Sequence, residues 1–302
     1  MKKFIINLII ILICSVASAR DEIRIVGSST LYPFITIEAE KFGKEYGKTP
    51  VVEATGTGGG MHLFCSGNSL KYPDIVNASR SMKKSEMEFC LANKVTNIKE
   101  IMLGYDGIVI AVAKKALGFT LSKEELFLAL ARKIPQNGEF IDNYYKTWNQ
   151  INPNLPRTKI EIYGPSFTSG TRDALIELVM SPFCGETSCK EIRDDGAFIE
   201  MPENDNLIIH KLLYNKNAIG IISFSLLNEN NKIKAIMIDN IYPTKNTIVD
   251  GNYPLARPLY IYVNMDHIKE LPRLIDFINE LVSEKSLGPN GYLTQKGLLT
   301  KE

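Results

Sequence analysis

The chain is poor in the side chains that most hydrolases and metalloproteins depend on. Its three histidines, His62, His210 and His267, are scattered along the chain, and none falls in a Gly/Ser/Thr-rich turn. No Cys-x-x-Cys pair occurs, and no Asp/His/Glu cluster has metal-ligand spacing. A Walker phosphate loop is missing, because Gly56-Thr57-Gly58-Gly59-Gly60 is not followed by Gly-Lys-Ser/Thr. The nucleophile elbow Gly-x-Ser-x-Gly is missing too, since Phe167-Thr168-Ser169-Gly170 does not supply it. Phosphoryl and acyl transfer need an activated nucleophile or metal ions, so these absences argue against an enzyme and against a bound cofactor. Charge of one sign is also lacking. A formal charge of +1 gives no general attraction for nucleic acid or a membrane surface. There is no internal repeat, no low-complexity segment and only one long apolar run.

That run sits at the start. Lys2 and Lys3 precede Phe4 to Cys14, interrupted only by Asn7, and the segment ends in the small-x-small signal Ala17-Ser18-Ala19. This is the layout of a secretory signal peptide, and the run is shorter than the ~20 residues a membrane span needs. Cys14 does not make a lipobox, because Ile13 stands where a small residue is required. Residues 1–19 are therefore expected to be cleaved and residues 20–302 to be a soluble, exported, periplasmic chain. Losing Lys2 and Lys3 moves the formal charge from +1 to −1. The remaining length suits one large or two medium domains, and 45% hydrophobic residues suffice for a packed core.

Cys65, Cys90, Cys184 and Cys189 remain after cleavage. An even number in an oxidising compartment reads as disulfides. Cys184 and Cys189 are near neighbours and should clip a loop, which leaves Cys65 for Cys90. A zinc site is the rival reading, and His62 is the only histidine near enough to serve it.

What the chain does have is three hydroxyl-rich turns, each before a stretch that reads as a helix. They are Gly27-Ser28-Ser29-Thr30, Thr55 to Gly60, and Thr168-Ser169-Gly170-Thr171-Arg172. A helix start exposes unpaired N–H groups and the positive end of the macrodipole. Glycine admits a ligand to the backbone, and Ser or Thr adds a hydroxyl donor. Three such turns converging would cradle one small tetrahedral anion without a metal. Any one of them alone is as well explained by helix capping.

The pattern around the turns is strand–turn–helix. Glu22 to Val26, Thr49 to Glu53 and Asp74 to Ala78 read as strands, with a helix from about Pro33 to Tyr46 stopped by Gly47. Ser85 and Glu88 read as a capping box for the helix carrying Cys90. Ile101 to Ala113 reads as a long strand crossing into a second domain. Ser122 and Glu125 cap a helix expected through Ile134. Ile160 to Tyr163 is a strand and Asp173 to Met180 a helix. Ala218 to Ser223 and Leu259 to Val263 are buried strands, and a last helix spans Leu271 to Val282. Repeated units of this kind argue for an α/β fold, with ligands beyond the carboxyl ends of the strands.

Five segments then become recognisable in order: Val26 to Pro33, Gly56 to Gly60, Asp74 to Arg80, Ser169 to Arg172, and Tyr253 to Pro258. Together they resemble the substrate-binding protein of the bacterial phosphate ABC transporter, the PstS-like family, over essentially the whole mature chain. The resemblance implies a two-lobed periplasmic binding protein fold of type II, with two mixed or parallel sheets flanked by helices and joined by two crossover strands. One lobe would hold 20–105 and 255–302, the other 106–254. It implies a monomer that binds inorganic phosphate and delivers it to a membrane ABC permease. Carried over turn by turn, the ligand set is Thr30 with the Leu31 backbone, Thr57, Ser169, Gly170 and Thr171. Ser29, Ser79, Arg80 and Arg172 are added from their positions beside these hydroxyls. Arg257 is read as a brace of the hinge, and Asp106 as a residue that orients an arginine or simply ends a turn.

One departure matters. The best-known members carry an aspartate after the third strand that accepts a proton from hydrogen phosphate and so rejects sulfate. Arg80 stands there in this chain. Two arginines would favour a dianion but remove that acceptor. A sulfate-like oxyanion is therefore the alternative ligand, and a secreted phosphatase the more distant alternative.

Overall fold

The computed structural model describes residues 20–301 apart from 168, 185–188, 203–204 and 229. The expected leader, 1–19, and Thr168 lie outside the described residues. The first elements are β1 (Arg24–Gly27), α1 (Tyr32–Tyr46), β2 (Val51–Ala54), α2 (Thr57–Phe64), β3 (Ile75–Ala78) and α3 (Lys84–Ala92). Then come β4 (Ile98–Ala113), α4 (Lys123–Leu130), β5 (Lys133–Gln136), β6 (Glu139–Asp142), α5 (Trp148–Ile151), β7 (Ile162–Pro165) and α6 (Gly170–Leu175). A π-helical turn (Ile176–Met180) carries α6 into α7 (Ser181–Cys184), followed by β8 (Phe198–Met201), α8 (Asp205–Tyr214), β9 (Ile219–Ser223), α9 (Phe224–Asn228) and β10 (Ile233–Ala235). The chain ends in α10 (Lys245–Val249), β11 (Ala256–Asn264), a 3₁₀ turn (Met265–Lys269), α11 (Arg273–Leu281), α12 (Glu284–Leu287) and α13 (Tyr292–Gln295).

Nine strands form a mixed sheet in the order β2-β1-β3-β11-β4-β9-β7-β8, with β10 on β4. β1 lies parallel between β2 and β3, and β7 parallel between β8 and β9. The two parallel groups are joined by antiparallel β11 and β4, so the expected pair of sheets is continuous through β4. The core is nonetheless divided. Ile25, Leu31, Ile35, Ile75 and Phe277 pack in one cluster and Val26, Met61 and Val76 in another on the opposite face. Ile108 to Ala113, Trp148, Ile162 and Ile219 to Ile222 build a separate one. β4 runs from the first group into the last.

Local sequence explains most elements. Pro33 suits the first turn of α1, and Gly47 ends it at φ 82°, returning its N–H to Gly43. Leu274, Phe277, Ile278 and Leu281 form the buried stripe of α11. Both disulfides, Cys65–Cys90 and Cys184–Cys189, are present. Two expectations need correction. The helix from Ser122 stops at Leu130, and Lys133–Asp142 is instead a hairpin. Pro135 restricts Ile134 to extended backbone, and Asn137 and Gly138 take the positive φ of a tight turn. Ser85 does not cap α3. Glu86 accepts the Lys83 N–H at 2.8 Å, two residues earlier than the Ser85–Glu88 reading.

Glu38 is the outlier of α1. It is fully buried, and the Tyr292 hydroxyl donates to it. Burial pushes its carboxyl up from 4.5 to about 7. A raised folded-state value makes protonated Glu38 the favoured native form. Its contribution is present below pH 4.5 and is lost as pH rises through about 7, amounting to roughly 3 kcal/mol at about 1.4 per unit. Glu38→Gln should therefore flatten the fall in denaturant midpoint between pH 4.5 and 7. A midpoint that keeps the wild-type slope would contradict this account.

Candidate functional site

The first hydroxyl turn is fixed by the end of β3. Gly27 has φ 129°, and a side chain on it would strike the Asn77 carbonyl. Ser28 donates its N–H to that same carbonyl at 2.9 Å, and its hydroxyl accepts the Thr30 N–H at 3.2 Å. Leu31, fully buried, is the residue from which α1 departs. In the second turn Gly56, at φ 71°, opens α2. Thr57 Oγ1 accepts the Ser79 N–H at 3.1 Å and lies 2.9 Å from Ser79 Oγ, so these two hydroxyls form one unit.

The third turn comes from the other core. Ser169 Oγ accepts the Thr171 N–H at 3.2 Å. Gly170 presses against the first turn, where a Cβ would lie only 2.5 Å from the Ser29 carbonyl carbon and closer still to Thr30 N. Only glycine allows that approach. From there the helix lays one face along the first half, at the i, i+3, i+7 spacing of a helical stripe. Thr30 Oγ1 donates to Gly170 O at 3.1 Å. Ser29 Oγ donates to Asp173 Oδ2 at 2.7 Å. Ser79 Oγ donates to Glu177 Oε2 at 3.3 Å, and Arg80 Nε pairs with Glu177 Oε1 at 3.2 Å. Glu177 rides on the π-helical turn, a feature that often marks functional positions.

The arginines differ in how far they are already neutralised. Arg80 forms a two-pronged pair with Glu86 at 2.7 and 2.8 Å besides its contact with Glu177. The Glu86 hydrogen bond holds its guanidinium above the usual arginine range. Arg172 donates to Pro165 O at 3.2 Å, stacks over Phe198 and stays 3.7 Å from Glu200. Burial lowers its affinity for a proton despite Glu200 and Asp173, which marks an under-compensated cation. Arg257 is 3% exposed. Its Nη2 reaches Thr30 Oγ1, Asp106 Oδ2 at 3.2 Å and Gly170 O at 3.3 Å.

Ser29, Thr30, Leu31, Ser169, Gly170 and Thr171 are thus brought together where the two cores meet. Thr57, Ser79 and Arg80 gather at Glu177, two turns along the same helix. Asp173, Glu177 and Glu200 were not singled out in the sequence. Asp173 shares the helical spacing of residue 170, the place of Glu177 depends also on the π-helical turn, and Glu200 lies on β8 with no such signal. Trp148 is buried core and Tyr144 is surface. A surface cavity of about 650 Å³ lies between Val282–Glu284, Leu287–Pro289 and Thr300–Lys301 and includes none of the three turns. Among the described residues no group of three or more His, Cys, Asp or Glu could hold a metal.

The mixed sheet flanked by helices is the type II periplasmic binding protein fold. A solved structure described as a possible phosphate binding protein from Planctomyces limnophilus superposes with a TM-score of 0.75, at 27% identity over 93% of each chain. A family model described as a PBP superfamily domain matches residues 15–285. The phosphate-binding protein PstS of Staphylococcus saprophyticus is 32% identical over 273 residues, 87% of this chain and 76% of that one. Protein SphX of Synechocystis sp. is 30% identical over 281 residues, 90% and 77% of the two chains. The chain belongs to the PBP superfamily, in the family of PstS-like binding proteins.

The close approach of the two backbones has a direct test. Gly170→Ala must part the turns, because the added Cβ is fixed to its own backbone and the atoms it meets are main chain. Small-angle scattering should give the variant a larger radius of gyration than wild type. An unchanged radius would mean that this contact does not hold the halves together.

Proposed function

We propose that this chain is the binding component of a phosphate ABC transporter. It would take up inorganic phosphate outside the cytoplasmic membrane, as a monomer released from its signal peptide, and hand it to a membrane permease. Residues 20–105 with 255–302, and 106–254, act as two lobes hinged on β4 and β11. The observation that carries the reading is the meeting of Thr30 with Ser169-Gly170-Thr171 across the two cores. Hydroxyls and backbone from opposite sides meet there directly. Phosphate enters between the turns and takes the hydroxyls of Thr30, Thr57 and Ser79, the Leu31 N–H, and Ser169, Gly170 N–H, Thr171 and Arg172. Closure excludes water and strengthens every polar contact. Only the closed form makes both sets, so ligand shifts the population toward it. Docking on the permease reopens the lobes.

The carboxylates favour phosphate over sulfate. Arg80 replaces the aspartate of the best-known members, but Asp106, Asp173 and Glu177 approach the cleft from the opposite half. A carboxylate accepts a hydrogen bond from a protonated oxyanion and repels one with no proton to offer. The printed names of the two staphylococcal relatives, phosphate-binding protein PstS, support a phosphate ligand.

Calorimetric titration with phosphate, arsenate, sulfate and molybdate tests ligand class and selectivity together. Phosphate should bind at about micromolar strength or tighter, and sulfate at least about tenfold more weakly. Arg172→Ala should weaken phosphate binding by at least about 2 kcal/mol, the scale for removing a partner from a buried charge. No heat with phosphate, or turnover of p-nitrophenyl phosphate that Arg172→Ala abolishes, would overturn the proposal.

A further inference from the structure

Arg257 carries a charge that the fold has buried without fully pairing. Its Nε and Nη1 are buried and find no hydrogen-bond partner among the described residues. No other guanidinium described here has a buried nitrogen in that state. Such donors cost stability unless an acceptor arrives. Among the described residues its counter-ion is Asp106, which engages Nη2 alone and is itself 23% exposed. Arg257 and Asp106 are paired neighbours on β11 and β4, the two strands that run between the halves. The same Nη2 touches Thr30 from the first turn and the Gly170 carbonyl from the third. The charge therefore sits where the two halves meet, with two donors to spare, whereas Arg80 has Nε, Nη1 and Nη2 all engaged.

We propose that Arg257 is the principal charged contact for the oxyanion, donating Nε–H and Nη1–H to it, with Asp106 as the residue that positions the guanidinium. This rests on the cleft being the phosphate site, and it replaces the role of hinge brace that the sequence suggested. A brace and a ligand contact predict opposite behaviour. A brace stabilises the ligand-free protein, and its loss leaves the affinity of the folded remainder intact. A contact with unpaired buried donors gives the ligand-free protein little, and its loss removes binding.

The experiment compares wild type, Arg257→Gln and Arg257→Lys as full-length mature proteins, by phosphate calorimetry and by thermal melts with and without phosphate. Arg257→Gln should melt no lower than wild type without phosphate, gain no stabilisation from phosphate and bind roughly a hundredfold more weakly. Arg257→Lys restores the charge but not the Nε donor, and should recover part of that loss. If Arg257→Gln does not fold, Arg257→Lys decides: a loss of about tenfold supports the assignment. Affinity within about threefold of wild type in either folded variant overturns it. Wild-type protein that binds no oxyanion sinks the phosphate reading and this assignment with it. Wild-type binding matched by Arg257→Gln sinks the assignment alone.

Discussion

Two backbones approach at Gly170 and Ser29-Thr30 more closely than any side chain would permit, and the rest of the cleft follows from that approach. It sets the start of α6 against the start of α1, so that backbone and hydroxyls from separate cores meet. It also sets the azimuth of the helix that follows. With residue 170 on the first half, residues 173 and 177 must fall on it as well. Asp173 therefore meets Ser29, and Glu177 meets Ser79 and Arg80. A larger residue at 170 would disturb all three contacts together.

β4 and β11 transmit this geometry. They pair from Ala256–Gly107 to Asn264–Ile98 and slip register between Leu259 and Tyr260. A bulge of this kind bends and twists a strand pair, here within the segment that passes from one core to the other. Arg257 and Asp106 lie just beyond it, on the side of the second core. Their position on the strands between the halves lets one guanidinium touch both turns, which a residue inside either core would not do.

The parts of the structure visible in the sequence are those set by local chemistry. Alternating apolar residues marked β1, Pro33 and Gly47 bounded α1, and cysteine spacing was enough to pair Cys65 with Cys90. The hairpin at Lys133–Asp142 was missed although Asn137-Gly138 is a strong turn signal, because the apolar periodicity of α4 was extended past its real end. The three turns were legible because their glycines and hydroxyls are contiguous. Glu177 was not, because its meaning depends on the π-helical turn and on Ser79, 98 residues away. Arg257 was visible as a residue but not as one that touches two of the turns. Its place depends on the pairing of β11 with β4, and the flanking Ala256 and Pro258 carry no trace of that.

The charges around the cleft do not favour an anion by simple attraction. Arg80, Arg172 and Arg257 stand against Glu86, Glu177, Glu200, Asp106 and Asp173, so carboxylates outnumber guanidiniums. Recognition must then come from oriented neutral donors and from the few cationic N–H groups that no carboxylate already holds. Neutral dipoles fixed by the fold need no reorganisation when the ligand arrives, and they are worth more once water is excluded. Their effect falls off with distance faster than that of net charge, so they select a guest by size and by where its oxygens lie. The surrounding carboxylates add a second filter, since they oppose any guest that brings negative charge without a proton. On the proposed reading, a cleft assembled this way would distinguish between small oxyanions by geometry and protonation, whereas a basic patch would bind them all.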